Sequence, residues 1–245
     1  MAAEFVWPEV RQVAPGAMRR WLAAAWSDLT AAPAASLFYG AVLATMGFFL
    51  TRYFGGAVGI ALTTGFLLVG PFVAIGLYDL SRRREKGERP RLAPTLAAWK
   101  ANFPAIAFYA IALTLLLAVW IRVSVVVVAL FFPSGSIDWS SAEVWVFAAA
   151  YLVAGSGLAL FVFATSSLSL PLLLDRGDMD AISAAIVSFT ALQRNFVPML
   201  GWAAFIVAIA AAGFATLFVG LVVALPLIGH MTWHAYREAV VARPR

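Results

Sequence analysis

Apolar residues run along this chain in long blocks rather than in alternation. Runs with no charge cover 34–50, 57–78, 144–174 and 197–229, and another, 104–132, contains a single charge, Arg122. About 30 Å of hydrocarbon takes roughly 20 helical residues to cross, so each of the four runs before residue 175 predicts one membrane-spanning helix. The last run is too long for one crossing and long enough for two, with a turn near Gly213 to Gly220. The predicted spans are 34–52, 57–78, 104–132, 144–174, 197–213 and 217–236, giving an all-α membrane protein of six helices in three hairpins. Both members of the second hairpin approach 30 residues, about 45 Å at 1.5 Å per residue. They are expected to tilt steeply or to project on the side away from the basic loops.

The polar stretches repeat a pattern. An amphipathic segment leads into a span through proline three times, in "AWSDLTAAPAASLFYG", "AWKANFPAIAFYA" and "ALQRNFVPMLGW". Each returning helix then carries a proline before its polar exit, at Pro71, Pro171 and Pro226. These features predict a threefold internal repeat of an amphipathic interfacial helix plus a hairpin, within one domain spanning 1–245. Aligning the exits on the prolines puts Ile75, Asp175 and His230 in one register and Asp79, Met179 and His234 in the next. If the three exits face one another, Asp79, Asp175, His230 and His234 share one polar layer at the mouth of the bundle.

Composition and charge set the solvent and the orientation. The chain is 63% apolar and 12% charged, with a mean hydropathy of +0.92, far from the balance of a soluble domain. Fifteen of its seventeen Lys and Arg residues fall in the two termini and the two inter-hairpin segments. The positive-inside rule makes that side cytoplasmic, with both termini and the segment 1–33 there. Nothing in the first thirty residues reads as a cleaved signal peptide. Cysteine is absent, which excludes disulfides, thiolate metal sites and thiol catalysis. The basic residues sit between apolar runs rather than in a groove, so no nucleic-acid site is expected. Arg82, Arg83, Arg84 and Lys86 are candidates for contact with anionic lipid, although their role as a topology signal is the favoured reading.

Candidate chemistry is sparse. His230 and His234, four apart on a helix, share a face and could hold a metal or haem. Two ligands do not define a site, and Trp233, His234 and Tyr236 also read as an interfacial aromatic belt. Arg122 is an intramembrane charge, which marks either a pathway or a side chain reaching for the far interface. Asp79 with His234 is the one pair that general acid–base chemistry could use.

The blocks "TTGFLLVGPFVAIGLYDLSRRREKGERP", "WIRVSVVVVALFF", "SLPLLLDR" and "GHMTWHAYREAV" resemble, in order, those of a bacterial family of integral membrane proteins known as domain of unknown function 2189. The resemblance covers nearly the whole chain after about residue 20. It implies a multi-span inner-membrane protein and supplies no substrate, cofactor or site residue. Together these readings favour a non-enzymatic small carrier or accessory membrane subunit needing no cofactor, with a membrane-protein partner in the second case. The alternatives are a metal- or haem-binding redox component using His230 and His234 and, more weakly, a lipid-handling enzyme. The question sharpens on whether His230 meets Asp175.

Overall fold

The structure is a computed structural model describing residues 7–65, 70–133 and 140–241. Part of the second predicted span (66–69), part of the loop inside the second hairpin (134–139) and both extreme termini lie outside the described residues. Helices dominate: α1 (Ala17–Ala31), α2 (Pro33–Tyr53), α3 (Gly56–Gly65), α4 (Gly70–Glu85), α5 (Leu92–Thr95) with a 3-10 turn (Ala98–Asn102), α6 (Phe103–Phe131), α7 (Glu143–Ser166), α8 (Ser169–Asp175), α9 (Ala181–Arg194), α10 (Phe196–Ala215) and α11 (Leu221–Ala239). Four stretches, Pro33–Tyr53, Leu92–Phe131, Glu143–Asp175 and Phe196–Ala215, are long and apolar enough to cross a membrane. Their large side chains stay uncovered by protein, as at Leu115, Val153 and Val197. Such exposure is stable only where lipid is the solvent.

The chain bends the same way where each amphipathic segment meets its long helix. Ala32, Asn102 and Asn195 hold φ between −146° and −126° with ψ between 41° and 63°, outside the helical region. Pro33, Pro104 and Pro198 follow, where a missing N–H is harmless in the first turn. Seven residues beyond each bend stands a buried aromatic: Tyr39, Tyr109 and Trp202. The α4 exit is closed by Gly87 at φ 75°, with Glu88 N–H donating to the Arg83 carbonyl at 2.9 Å and Gly87 N–H to that of Arg84 at 3.0 Å, the Schellman arrangement. At the α10–α11 turn, Leu217 and Phe218 adopt left-handed backbone, so α11 opens at Leu221 rather than at 217.

The main core lies toward the end of the bundle where the amphipathic helices sit, built from residues such as Trp21, Leu77, Leu172, Trp233 and Tyr236. A smaller cluster of Val128, Phe132 and Phe147 closes the opposite end, with Ala57 and Ile60 of α3 against it. That contact sets the start of α3 against the adjoining ends of α6 and α7. The central post is α11, with twelve buried residues. Pro226 inside it cannot donate to the Val222 carbonyl, and this freed oxygen faces Gly40 of α2, where an added Cβ would lie only 2.0 Å away. Gly40→Ala must therefore push two backbones apart, at an expected cost of about 1–3 kcal/mol, read as a lowered unfolding midpoint in detergent.

A feature with no counterpart in the sequence pattern joins the termini. Glu9–Val10 pairs antiparallel with Val240–Val241, and Asn195 secures the incoming strap. Its Oδ1 accepts from Val13 N–H at 2.7 Å, its Nδ2 donates to the Arg11 carbonyl at 2.9 Å, and Arg194 donates to the Val10 carbonyl at 2.8 Å. Asn102, at the bend before α6, likewise clasps a distant segment, donating to the Met179 carbonyl at 2.7 Å. Asn195→Ala removes the two bonds that hold the strap, worth about 1–2 kcal/mol together. Trypsin cleavage at Arg11 is then expected to accelerate roughly 5- to 30-fold, with wild-type rates as the outcome that contradicts this role.

Candidate functional site: a buried histidine network

The densest polar structure is assembled by α1, α2, α4 and α11. His230 on α11 has no exposed surface, and neither has Ser36; Ser81 and Asp28 are almost as deeply covered. Ser81 Oγ donates to Asp28 Oδ2 at 2.6 Å. That hydroxyl has one proton, so its 2.7 Å contact with His230 Nδ1 is an N–H donated by the ring. Nε2 then carries the lone pair and accepts from Ser36 Oγ at 2.9 Å. The hydrogen count thus assigns a single tautomer to neutral His230 and runs a chain Ser36, His230, Ser81, Asp28 across four helices.

Asp28 is the anchor. Its Oδ2 also takes His234 Nε2 at 2.8 Å, and its Oδ1 takes the Arg84 guanidinium at 2.5 Å, which reaches on to Ser27 Oγ at 2.8 Å. Burial pushes the Asp28 carboxyl up, but hydrogen bonds from His234 and Ser81, the His234 charge and the Arg84 bond outweigh it and hold the pKa at about 2 instead of 3.8. Three glycines permit this closeness. Besides Gly40, Gly76 on α4 admits the Tyr39 ring and Gly229 on α11 admits Leu77.

The four residues predicted to share a layer divide into separate partnerships. His230 and His234 meet through Asp28. Asp79, fully buried, is bracketed on its own helix by Arg82 (2.6 Å) and Arg83 (2.7 Å), and Arg82 continues to the Leu174 carbonyl of α8 at 2.8 Å. Asp175 accepts from the Tyr236 hydroxyl at 2.9 Å and from Arg237 at 3.3 Å. Arg237 in turn binds Glu85, which also takes Trp233 Nε1 at 3.0 Å. The exits of α4, α8 and α11 are thus cross-braced, with His230 on serines rather than on Asp175. Arg122 stands on the exposed side of α6.

The hydroxyl–imidazole–hydroxyl–carboxylate order resembles a charge relay, yet Ser36 is sealed between α2 and α11, where no substrate carbonyl can approach it. Asp79 and His234, the pair considered for acid–base chemistry, are each committed to other partners. Among the described residues no three His, Asp or Glu side chains converge in a way that could hold a metal ion. Both ring nitrogens of His230 and Nε2 of His234 are engaged as well. A groove of about 390 Å³ runs between Asn102, Phe108 and residues 177–182, and another of about 430 Å³ runs along α2 between Phe38 and Phe49. Neither is lined by a histidine.

Ser36, Ser81 and Asp28 are the network members that sequence reasoning missed. One signal was available for Asp28: Trp21, Ala25, Asp28 and Leu29 form the buried stripe of α1, so a lone carboxylate lies on an apolar face. The serines carry no such mark, since a hydroxyl inside a span is ordinarily satisfied by its own helix.

No curated protein and no solved structure matches the chain. Residues 59–175, just under half of it and a shorter stretch than the resemblance suggested, match a family model described as predicted integral membrane protein (DUF2189). That stretch holds α4, with Ser81 and Arg84 of the network and with Asp79, together with α6, α7 and α8. Over this region the chain is similar to the DUF2189 family of predicted integral membrane proteins.

Proposed function

We propose that the protein is a six-span, non-enzymatic accessory subunit of a bacterial cytoplasmic membrane, with both termini on the cytoplasmic side. One observation carries the choice of subunit over carrier. Asp28, Arg82, Arg84, Asp175, His234 and Arg237 are spent on bracing α1, α4, α8 and α11 to one another, while large apolar side chains on α6, α7 and α10 face outward. A carrier needs uncommitted polar groups around a cavity near the bilayer midplane. A subunit needs a rigid frame and outward faces that other membrane helices can cover.

The threefold repeat supports the six-span reading. The like bends and the aromatic seven residues on recur three times in register, the asparagine clasps recur in the second and third units, and α3 with α4 and α11 are read as the two returning helices that complete the hairpins. Arg52 and Arg122 then fall into place. Each lies twenty residues past its bend, at Ala32 or Asn102, which is about 30 Å of helix and one hydrocarbon thickness. Both arginines in this reading reach the far headgroups, so Arg122 is an anchor rather than a pathway residue.

Because the chain lacks cysteine, single-cysteine variants report topology directly. Gly87→Cys is expected to resist a membrane-impermeant maleimide on intact cells and Ser140→Cys to react, and the reverse pattern would invert the orientation. For the function, a photo-crosslinker at Leu115 or Val153 in native membranes should trap one recurrent membrane protein that co-purifies with the chain in fixed ratio. Solute flux catalysed by the purified chain in vesicles, without such a partner, would establish a carrier instead.

A further inference from the structure

The cations expected to meet anionic lipid are largely turned inward. Arg82 and Arg83 hold Asp79, Arg83 also holds Glu88, and Arg84 holds Asp28. The two acids of the same segment, Glu85 and Glu88, are in turn neutralised by Arg237 and Arg83. The exposed cations of the segment that hold no acid among the described residues are Lys86, Arg89 and Arg91, on the loop that leads straight into α5. The next turns carry Trp99 and Phe103, both exposed, with their rings in edge contact at 5.4 Å. The Lys100 ammonium stands 5.5 Å from the centre of the Trp99 ring. Phe103 is the first residue of α6, so these rings sit where the chain passes from water into the apolar run.

We infer that the loop 86–91 together with Trp99, Lys100 and Phe103 forms a binding surface for anionic phospholipid of the cytoplasmic leaflet. The inference deepens the membrane reading above and rests on its orientation. Lys86, Arg89, Arg91 and Lys100, none of them ion-paired with an acid among the described residues, provide the charge complement. The aromatic pair fixes the depth, because indole and phenyl rings favour the boundary between headgroup and acyl chain. Each basic residue near a negatively charged leaflet contributes roughly a 5-fold preference, and the attraction is screened by salt.

The test uses the full chain in phosphatidylcholine vesicles doped with brominated phosphatidylglycerol or brominated phosphatidylcholine. Trp99 emission is taken as the difference between wild type and Trp99→Phe. The brominated anionic lipid is expected to quench Trp99 at a mole fraction at least about 5-fold lower than the neutral one, with the advantage shrinking in 1 M salt. Replacing Lys86, Arg89, Arg91 and Lys100 together by Gln should bring the ratio near one while quenching by the neutral lipid persists, which shows that Trp99 still lies in the interface. Equal quenching by the two lipids in wild type, or a preference that survives both salt and the fourfold variant, overturns the proposal. A wrong orientation would appear in the maleimide pattern at residues 87 and 140, not in this ratio, so the two failures are distinguishable.

Discussion

Asp28→Ala is expected to lower the unfolding free energy by about 3–5 kcal/mol, the largest effect of any single replacement in the network. Removing one member of a buried charge cluster leaves the others uncompensated. Here Arg84 and His234 lose their carboxylate while Ser81 loses its acceptor. The pH dependence gives a second readout with a definite sign. The folded carboxyl is depressed to about 2 from 3.8, so the folded state favours the ionised form. The resulting stability is fully present above about pH 4 and is lost as pH falls through about 2, worth roughly 2 kcal/mol across that window. Unfolding in detergent, followed from pH 5 to pH 2, should show this loss in wild type and a flatter course in Asp28→Ala. Parallel curves for the two proteins would remove Asp28 from the role of anchor.

His230→Ala comes second, at about 2–4 kcal/mol. The ring leaves a cavity between α2, α4 and α11 and takes away the partner of two buried hydroxyls at once. Ser36→Ala and Ser81→Ala should cost less individually. Neither should add fully to His230→Ala, because all three share the same bonds. The replacement also tests the redox alternative. Ring nitrogens already committed to Ser36 and Ser81 leave none for a metal or haem iron, so metal content and visible absorbance of the purified protein should not depend on His230. A band or a bound metal lost in His230→Ala would overturn the structural role and reopen that reading.

The two stabilising elements differ in how they reach function. The Asp28 cluster ties the amphipathic α1 to α4 and α11, and the Asp175–Tyr236–Arg237–Glu85 group ties α8 to the same post. Both act where the polypeptide leaves the apolar runs, so the mouth of the bundle is held rigid while the outward faces of α6, α7 and α10 stay free. That division is what an accessory subunit requires. It also explains why the polar residues best placed for chemistry are the ones least accessible to a substrate.

Much of the frame was legible residue by residue. The run 34–52 became α2 at Pro33–Tyr53 and 104–132 became α6 at Phe103–Phe131. A chain this apolar must hide its backbone polar groups in helices wherever lipid surrounds it, and proline marks the first turn. The pair at His230 and His234 was legible too, as neighbours four apart on one face. Asp79 and Asp175 show where that kind of reasoning stops. Spacing gives the angle of a side chain around its own axis and says nothing about which helix lies opposite. On α11, His230 and His234 point toward α1, α2 and α4, while Tyr236, six residues from His230, is turned far enough round to meet α8.

By itself, then, the sequence determined the solvent and the places of the long apolar helices, because these follow from local apolar content and from proline's fixed backbone. Only the tertiary structure decided that Asp28, far away on an amphipathic helix, is the carboxylate that takes His234 directly and His230 through Ser81. It alone turned Arg82, Arg83 and Arg84 inward, leaving Lys86, Arg89 and Arg91 outside. The reason is physical. A hydrogen bond between residues about two hundred positions apart is selected by the packing of glycine-lined helices and by the cost of leaving a buried charge unpaired, and neither is written in any one segment.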